Sequence, residues 1–382
     1  MAYILQLLPI GTHCCASSTS AGGDSIKLFD LERVTDKPLT ELEHDQLGRV
    51  NQLVHLAPSL LLGCFSSSSV VLGWDFRTGS RARPALHITG QSTSPFISLA
   101  HSHSNHLIAA GSSAEEESSQ IELFDLRASA ATAAPICIYD QSHSDNITCL
   151  DFCPADSAHQ QLLSASTDGL LVLHDTNEAN QDQSILFTHN TGASLAHAHW
   201  QPDANTIWAG SDMETLSRWD NQLSLVKDYG DLRQDSLAKP DPSWQQPVSY
   251  LINLTNPSPT RSAYFAGSQS SGDVALVETT QRETHQWQVL GSFKAGHTEM
   301  VRCAAFDPQT SRVLTGAEDG QICVWLIDPE NPQSGKLLHR FSPFPNHSDH
   351  SDHRPNLLHP KPDSCLKTVS SKDHRFKPYT RH

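Results

Sequence analysis

Seven times along the chain, a β-rich run closes on a bulky side chain, and six of the seven are followed by an acid. The runs are LFD at Phe29, GWD at Trp74, LFD at Phe124, LHD at His174, RWD at Trp219, LVE at Val277 and VW at Trp325. The successive gaps are 45, 50, 50, 45, 58 and 48 residues. Such a period decides the architecture first, because a unit of this size buries its faces only against its neighbours. In the best-formed unit, Gly296 to Trp325, three short runs rich in β-formers appear: Val301–Phe306, Arg312–Thr315 and Gln321–Trp325. Glu318-Asp319-Gly320 supplies the hairpin turn between the last two. Ile147–Pro154 and Ser164–Gly169 repeat the layout, with His174-Asp175 at the Trp325 position. Trp200-Gln201-Pro202 followed by Trp219-Asp220 is a weaker copy. The pattern predicts an all-β, seven-bladed propeller over residues 1–345.

The order of Gly-His, Asp-Gly and Trp within these units resembles the WD-repeat (WD40) β-propellers, across roughly residues 2–345. That resemblance implies a hydrogen-bonded His, Ser/Thr, Asp and Trp tetrad in each well-formed blade. In the last blade it falls on His297, Thr315, Asp319 and Trp325. The fourth blade offers His143, Ser164 and Asp168, with His174 in place of the Trp, so its tetrad must be weakened or reorganised. An acid, a base and a hydroxyl that recur with the repeat read as structure, since an active site does not repeat around a ring. Strand accounting closes the ring in order. Tyr3–Leu8 is the innermost strand of blade one, His13–Ser18 its second, and Lys336–Phe341 the outer strand of blade seven. Each inner strand is expected to be apolar almost throughout, as Cys303-Ala304-Ala305-Phe306 is.

Charge and composition narrow the function classes. The formal charge is −16, but residues 329–382 hold nine Lys/Arg against five acids, so −20 falls on residues 1–328. An acidic body weighs against non-specific nucleic-acid binding. Nine scattered cysteines, an odd number, argue against a disulfide framework and for the cytoplasm or nucleus. MAYILQLLPI lacks a basic n-region and reads as a strand, and no apolar run has the length of a membrane span. There is no CxxC, Walker loop, HExxH or GxSxG. The expectation is therefore a non-catalytic chain with no cofactor, metal or small-molecule substrate, acting as a monomeric propeller within a complex. Cys149 and Cys153, four apart on one strand, would lie about 13 Å from each other and cannot share a zinc. Residues 346–382, which include His347, His350, His353 and His359, are polar and aperiodic and read as a disordered tail.

Two surfaces are candidates for partners. In WD-repeat proteins, the connections that carry insertions here emerge on the top face. Ser112–Gln120, with Glu115, Glu116 and Glu117, is one insertion, and Asp231–Gln246, with Asp231 and Arg233, is the other. Arg302 and Thr148 share one position at the channel mouth on that face. The expected partner is a Lys/Arg-rich protein segment. The second surface is the WDxR motif Trp74-Asp75-Phe76-Arg77 and its near-copy Phe124-Asp125-Leu126-Arg127. In WD-repeat substrate receptors, two such motifs help dock the propeller on the adaptor of cullin-4 ubiquitin ligases. Here that implicates Trp74, Asp75, Arg77, Asp125 and Arg127.

Overall fold

A computed structural model describes residues 2–342, apart from 21–22, 34–36, 45–46, 58, 103–105, 115–118, 128–133, 156–159, 235–243, 245–247, 259–260, 280–286 and 328–334. Its strands form seven antiparallel sheets, one per sequence unit. Blade one is Ala2–Ile10, His13–Ser20, Gly23–Asp30 and Thr40–Leu42, with Arg81–Ala82 added parallel at its outer edge. Blade two runs from Val50–Ala57 to Leu86–Thr89, and blade three from Phe96–Ser102 to Cys137–Tyr139. Blade four runs from Ile147–Phe152 to Ile185–Asn190, and blade five from Leu195–Trp200 to Leu225–Asp231. Blade six runs from Tyr250–Ser258 to Trp287–Phe293. Blade seven is Val301–Asp307, Arg312–Ala317, Ile322–Ile327 and Gly335–Phe341. The expected sequential closure holds, since Ala2–Ile10 is the innermost strand of its own blade and Gly335–Phe341 the outermost of the last.

The core sits between blades. Ile4, Leu7 and Phe29 of blade one pack with Leu314, Val324 and Phe341 of blade seven in one buried cluster, which closes the ring. Turn chemistry is local: Gly169 and Gly320 hold φ of +86° and +73°, the left-handed conformation their Asp-Gly turns demand.

One expectation is corrected. The inner strands are not buried throughout: within Val301–Asp307 only Val301, Ala304 and Asp307 are buried. One side of each inner strand faces the central channel. Burial is more continuous in the second strands, and Leu107–Ser112, between neighbouring blades on both faces, is buried throughout.

Candidate protein-interaction surface

Every inner strand carries a β-bulge within its first few residues. The register slips between Ile4 and Gln6, Val50 and Gln52, Phe96 and Ser98, and Ile147 and Cys149. It slips again between Leu195 and His197, Leu251 and Asn253, and Val301 and Cys303. A bulge leaves one residue unpaired and re-aims it. Here the bulged residues are Leu5, Asn51, Ile97, Thr148, Ala196, Ile252 and Arg302. They ring one mouth of the channel, so Thr148 and Arg302 do occupy equivalent places. In an up-and-down blade this mouth also carries the turns between second and third strands and the links between blades.

Arg302 is the only cation in that ring and its side chain is half exposed, but its charge is engaged. Nε donates to Glu318 Oε1 at 2.6 Å, and a terminal nitrogen reaches the same carboxylate. The Thr148 hydroxyl is turned to the seam, donating to Leu195 O of the next blade at 2.8 Å. Asp231 and Arg233 form a two-point fork, Nε to Oδ1 and a terminal nitrogen to Oδ2, both at 2.9 Å. The fork holds the Asp231 carboxyl below the usual carboxylate range. Asp145 and Asp212, on the same rim, have no Lys or Arg within ion-pair distance among the described residues. Glu115, Glu116 and Glu117 lie outside the described residues, as do most of Asp231–Gln246 and the tail histidines.

Tetrads fasten this face. In blade seven, His297 Nδ1 lies 3.2 Å from Asp319 Oδ2 and Nε2 lies 2.8 Å from Thr315 Oγ1. Trp325 Nε1 donates to the same hydroxyl at 2.9 Å. In blade four, His143 bridges Asp168 at 3.3 Å and Ser164 at 2.8 Å. Burial pushes the Asp168 carboxyl up, but the His143 hydrogen bond and the N–H groups of Leu170 and Ser144 outweigh it, holding it at about 2. The reorganisation forced by His174 is visible. Its Nε2 lies 3.4 Å from Ser164 Oγ and its Nδ1 lies 3.3 Å from Ser184 Oγ. The ring also stacks on Tyr139 at 4.8 Å.

Blade three solves the same problem with a residue that sequence reasoning missed. Its hydroxyl position is Ala110 and its Trp position Phe124. Glu122, fully buried, instead accepts from Gln91 N at 2.9 Å and Ser92 N at 2.6 Å, in the link where His297 sits in blade seven. Burial raises the Glu122 carboxyl above its ordinary range, and those N–H groups pull it partly back. Glu122→Ala is expected to cost about 2 kcal/mol by stranding the buried Ser92 N–H and the part-buried Gln91 N–H. Glu122→Gln should cost less, and urea midpoints of the two variants check this. Blade five goes further. Thr191, Ala209 and Met213 replace the His, hydroxyl and Asp, and Trp219 Nε1 turns to Ser217 Oγ at 2.9 Å. A cavity of about 240 Å³ lies against Thr191, Ala209 and Trp219.

The WDxR motifs lie at the opposite mouth. Asp75 and Arg77 form the same fork as Asp231 and Arg233, with Nε to Oδ1 at 2.9 Å and a terminal nitrogen to Oδ2 at 2.5 Å. Asp125 and Arg127 repeat it at 3.0 and 2.7 Å. The forks hold both carboxyls at about 2. Trp74 and Phe124 are buried, while Arg77 and Arg127 are 73% and 66% exposed. Adjacent blades thus present matched guanidinium groups. Among the described residues no cluster of three potential metal ligands occurs, and no helix is long and apolar enough to cross a membrane.

The WD domain, G-beta repeat family matches residues 135–175 and 287–325, the two units whose tetrads are built. The chain thus carries WD repeats in these two units. It is similar to the WD repeat-containing protein 89 homolog of Dictyostelium discoideum, 26% identical over 307 residues, covering 80% of this chain and 78% of the relative. An uncharacterized WD repeat-containing protein of Saccharomyces cerevisiae is 25% identical over 346 residues, covering 86% and 81%. Among solved structures, a chain of the "Crystal Structure of Mitotic Checkpoint Complex" shares the fold with a TM-score of 0.63 at 15% identity, covering 85% of this chain and 86% of that one. A WD-repeat propeller of this kind is a protein-interaction scaffold.

Proposed function

We propose that this scaffold uses its top face, around Arg302, to bind a Lys/Arg-rich segment of a protein partner. The observation that carries the reading is the Arg302–Glu318 pair. With Arg302 paired to Glu318, none of the seven bulged residues carries a free cation. Asp145 and Asp212 add unpaired negative charge to a rim that also holds the exposed Arg49 and Lys294, and the acidic Glu115–Glu117 run belongs to the same set of connections. A body of charge −20 speeds encounter with a basic segment, an effect that salt screens. Eight of the described cysteines are free thiols, which supports the cytoplasm or nucleus as the working compartment.

Partners captured from native extract across a salt series test the reading. Capture should weaken as salt rises, and replacing Glu115, Glu116 and Glu117 by Gln should slow association and flatten the salt dependence at unchanged thermal stability. Unaltered yield across the series in both proteins would sink it. A second reading is docking on a cullin-4 adaptor, and it is supported by the twin exposed forks at Arg77 and Arg127. Recovery of the adaptor, lost on Arg77→Ala plus Arg127→Ala, is its signature in the same experiment.

A further inference from the structure

Inner strands are stitched across most seams by a side chain of one blade bonded to the backbone of the next. Gln6 accepts from Leu53 N at 2.8 Å, Gln52 from Leu99 N at 2.7 Å, and Ser98 donates to Ile147 O at 2.6 Å. Thr148 reaches Leu195 O, and the Tyr250 hydroxyl accepts from Val301 N at 3.1 Å. Between blades five and six, His197 holds the position of Gln52 and Ser98 and makes no such bond among the described residues. Glu214 Oε2 instead accepts from Leu251 N at 2.5 Å near the upper end, and Asn256 Nδ2 donates to Trp200 O at 3.3 Å lower down. Toward the lower end of that seam the two blades part into a cleft of about 140 Å³.

The cleft has two zones. Its buried wall is Trp208, Leu216 and Ala263, from the sides of both blades. Its half-exposed mouth is Asp151, His199 and Asn256, from the ends of three inner strands. Asp151 Oδ2 accepts from Trp200 N at 2.8 Å, and no Lys or Arg lines the cleft. The indole N–H groups of Trp200 and Trp208, both lining residues, find no acceptor among the described residues. A buried donor without a partner is uncommon in a completed core, and the Trp208 indole N–H stands beside the open volume of the cleft.

The geometry points to a docking site for a short peptide segment in which a Leu- or Phe-sized side chain stands next to a Lys or Arg. The size argues for one side chain rather than a whole small molecule. Small-molecule sites run to about 300–1,000 Å³, while a dry cavity near 150 Å³ accepts a benzene-sized group. An apolar group entering between the blades covers the Trp208, Leu216 and Ala263 wall. The neighbouring cation then meets the Asp151 carboxylate at the mouth, where the low-dielectric wall strengthens the attraction. The site is at the mouth opposite Arg302 and stands independently of the top-face reading.

Short capped peptides centred on Phe-Lys, Ala-Lys and Phe-Glu are the probes, and the indole N–H signals of Trp200 and Trp208 in a ¹⁵N-resolved spectrum are the readout. Phe-Lys is expected to shift both signals in a saturable way, with Ala-Lys and Phe-Glu several-fold weaker. Asp151→Asn, which keeps the acceptor for Trp200 N, should weaken Phe-Lys several-fold. Ala263→Val should abolish the shifts by filling the wall. If that variant fails to fold, the peptide series and Asp151→Asn still decide the matter. Replacing Glu115–Glu117 by Gln should leave the shifts unchanged, which separates this site from the top face. No shift with Phe-Lys, equal binding of Ala-Lys or Phe-Glu, or indifference to Asp151→Asn overturns the proposal.

Discussion

Trp325→Ala is expected to lower the stability of the propeller by about 3–5 kcal/mol, the range for removing a large buried aromatic. The indole is 2% exposed and meets the Phe293 ring with centroids 5.4 Å apart. Neighbours are shaped around it: a Cβ added at Gly296 would come within 2.3 Å of its ring. Truncation therefore opens a cavity that the seam between blades six and seven cannot easily collapse, and it removes the N–H donor of the tetrad. Trp325→Phe keeps most of the packing and loses that donor, so about 1 kcal/mol is expected. Urea midpoints for the three proteins check the order. A parent-like midpoint for Trp325→Ala would show that the tetrad does not anchor the blade.

Acid should unfold the protein earlier than its carboxylates alone require. Burial pushes the His174 imidazole down to about 3, so it stays neutral in the folded state, and burial pushes His197 the same way, to about 4. In the unfolded chain each takes up a proton near pH ~6.5. The unfolded state then binds more protons, so stability is fully present above about pH 6.5 and falls as the pH drops toward 3. For His174 alone the loss over that window amounts to about 3–5 kcal/mol. His174→Phe keeps a flat ring against Tyr139 and cannot titrate. Its stability should start somewhat lower at neutral pH and fall less steeply below about pH 6. Equal slopes for parent and variant, from urea midpoints at stepped pH, would count against a buried neutral His174.

Much of this arrangement was legible because it repeats. The strand-end spacing located all seven blades, and the resemblance to WD-repeat propellers pointed to residues that hydrogen-bond to one another in blades four and seven. The departures were harder to read. Glu122 alternates with apolar neighbours and looks like a solvent-facing acid; its burial follows from Ala110 and Phe124, which leave the blade without its usual anchor. Those substitutions were the available signal. Trp244 sits in a run that reads as a polar connection, yet it is buried among Trp208, Tyr229 and Leu251. A lone aromatic between prolines carries no period from which to infer its neighbours. The cleft between blades five and six had no linear signature, because Asp151, Trp208 and Ala263 are contributed by three different blades.

The ring closes by an ordinary seam, with Cys303 Sγ against Ile4 O and a buried cluster shared by the first and last blades. No blade is assembled from both ends of the propeller. Ala2 and Phe341 flank Gly320 and Ile322, so the first and last strands of the ring finish on one rim. Such a circle has no privileged starting point. A gene rearranged to begin at another blade, with a short linker across the old junction, would encode the same set of seams in rotated order.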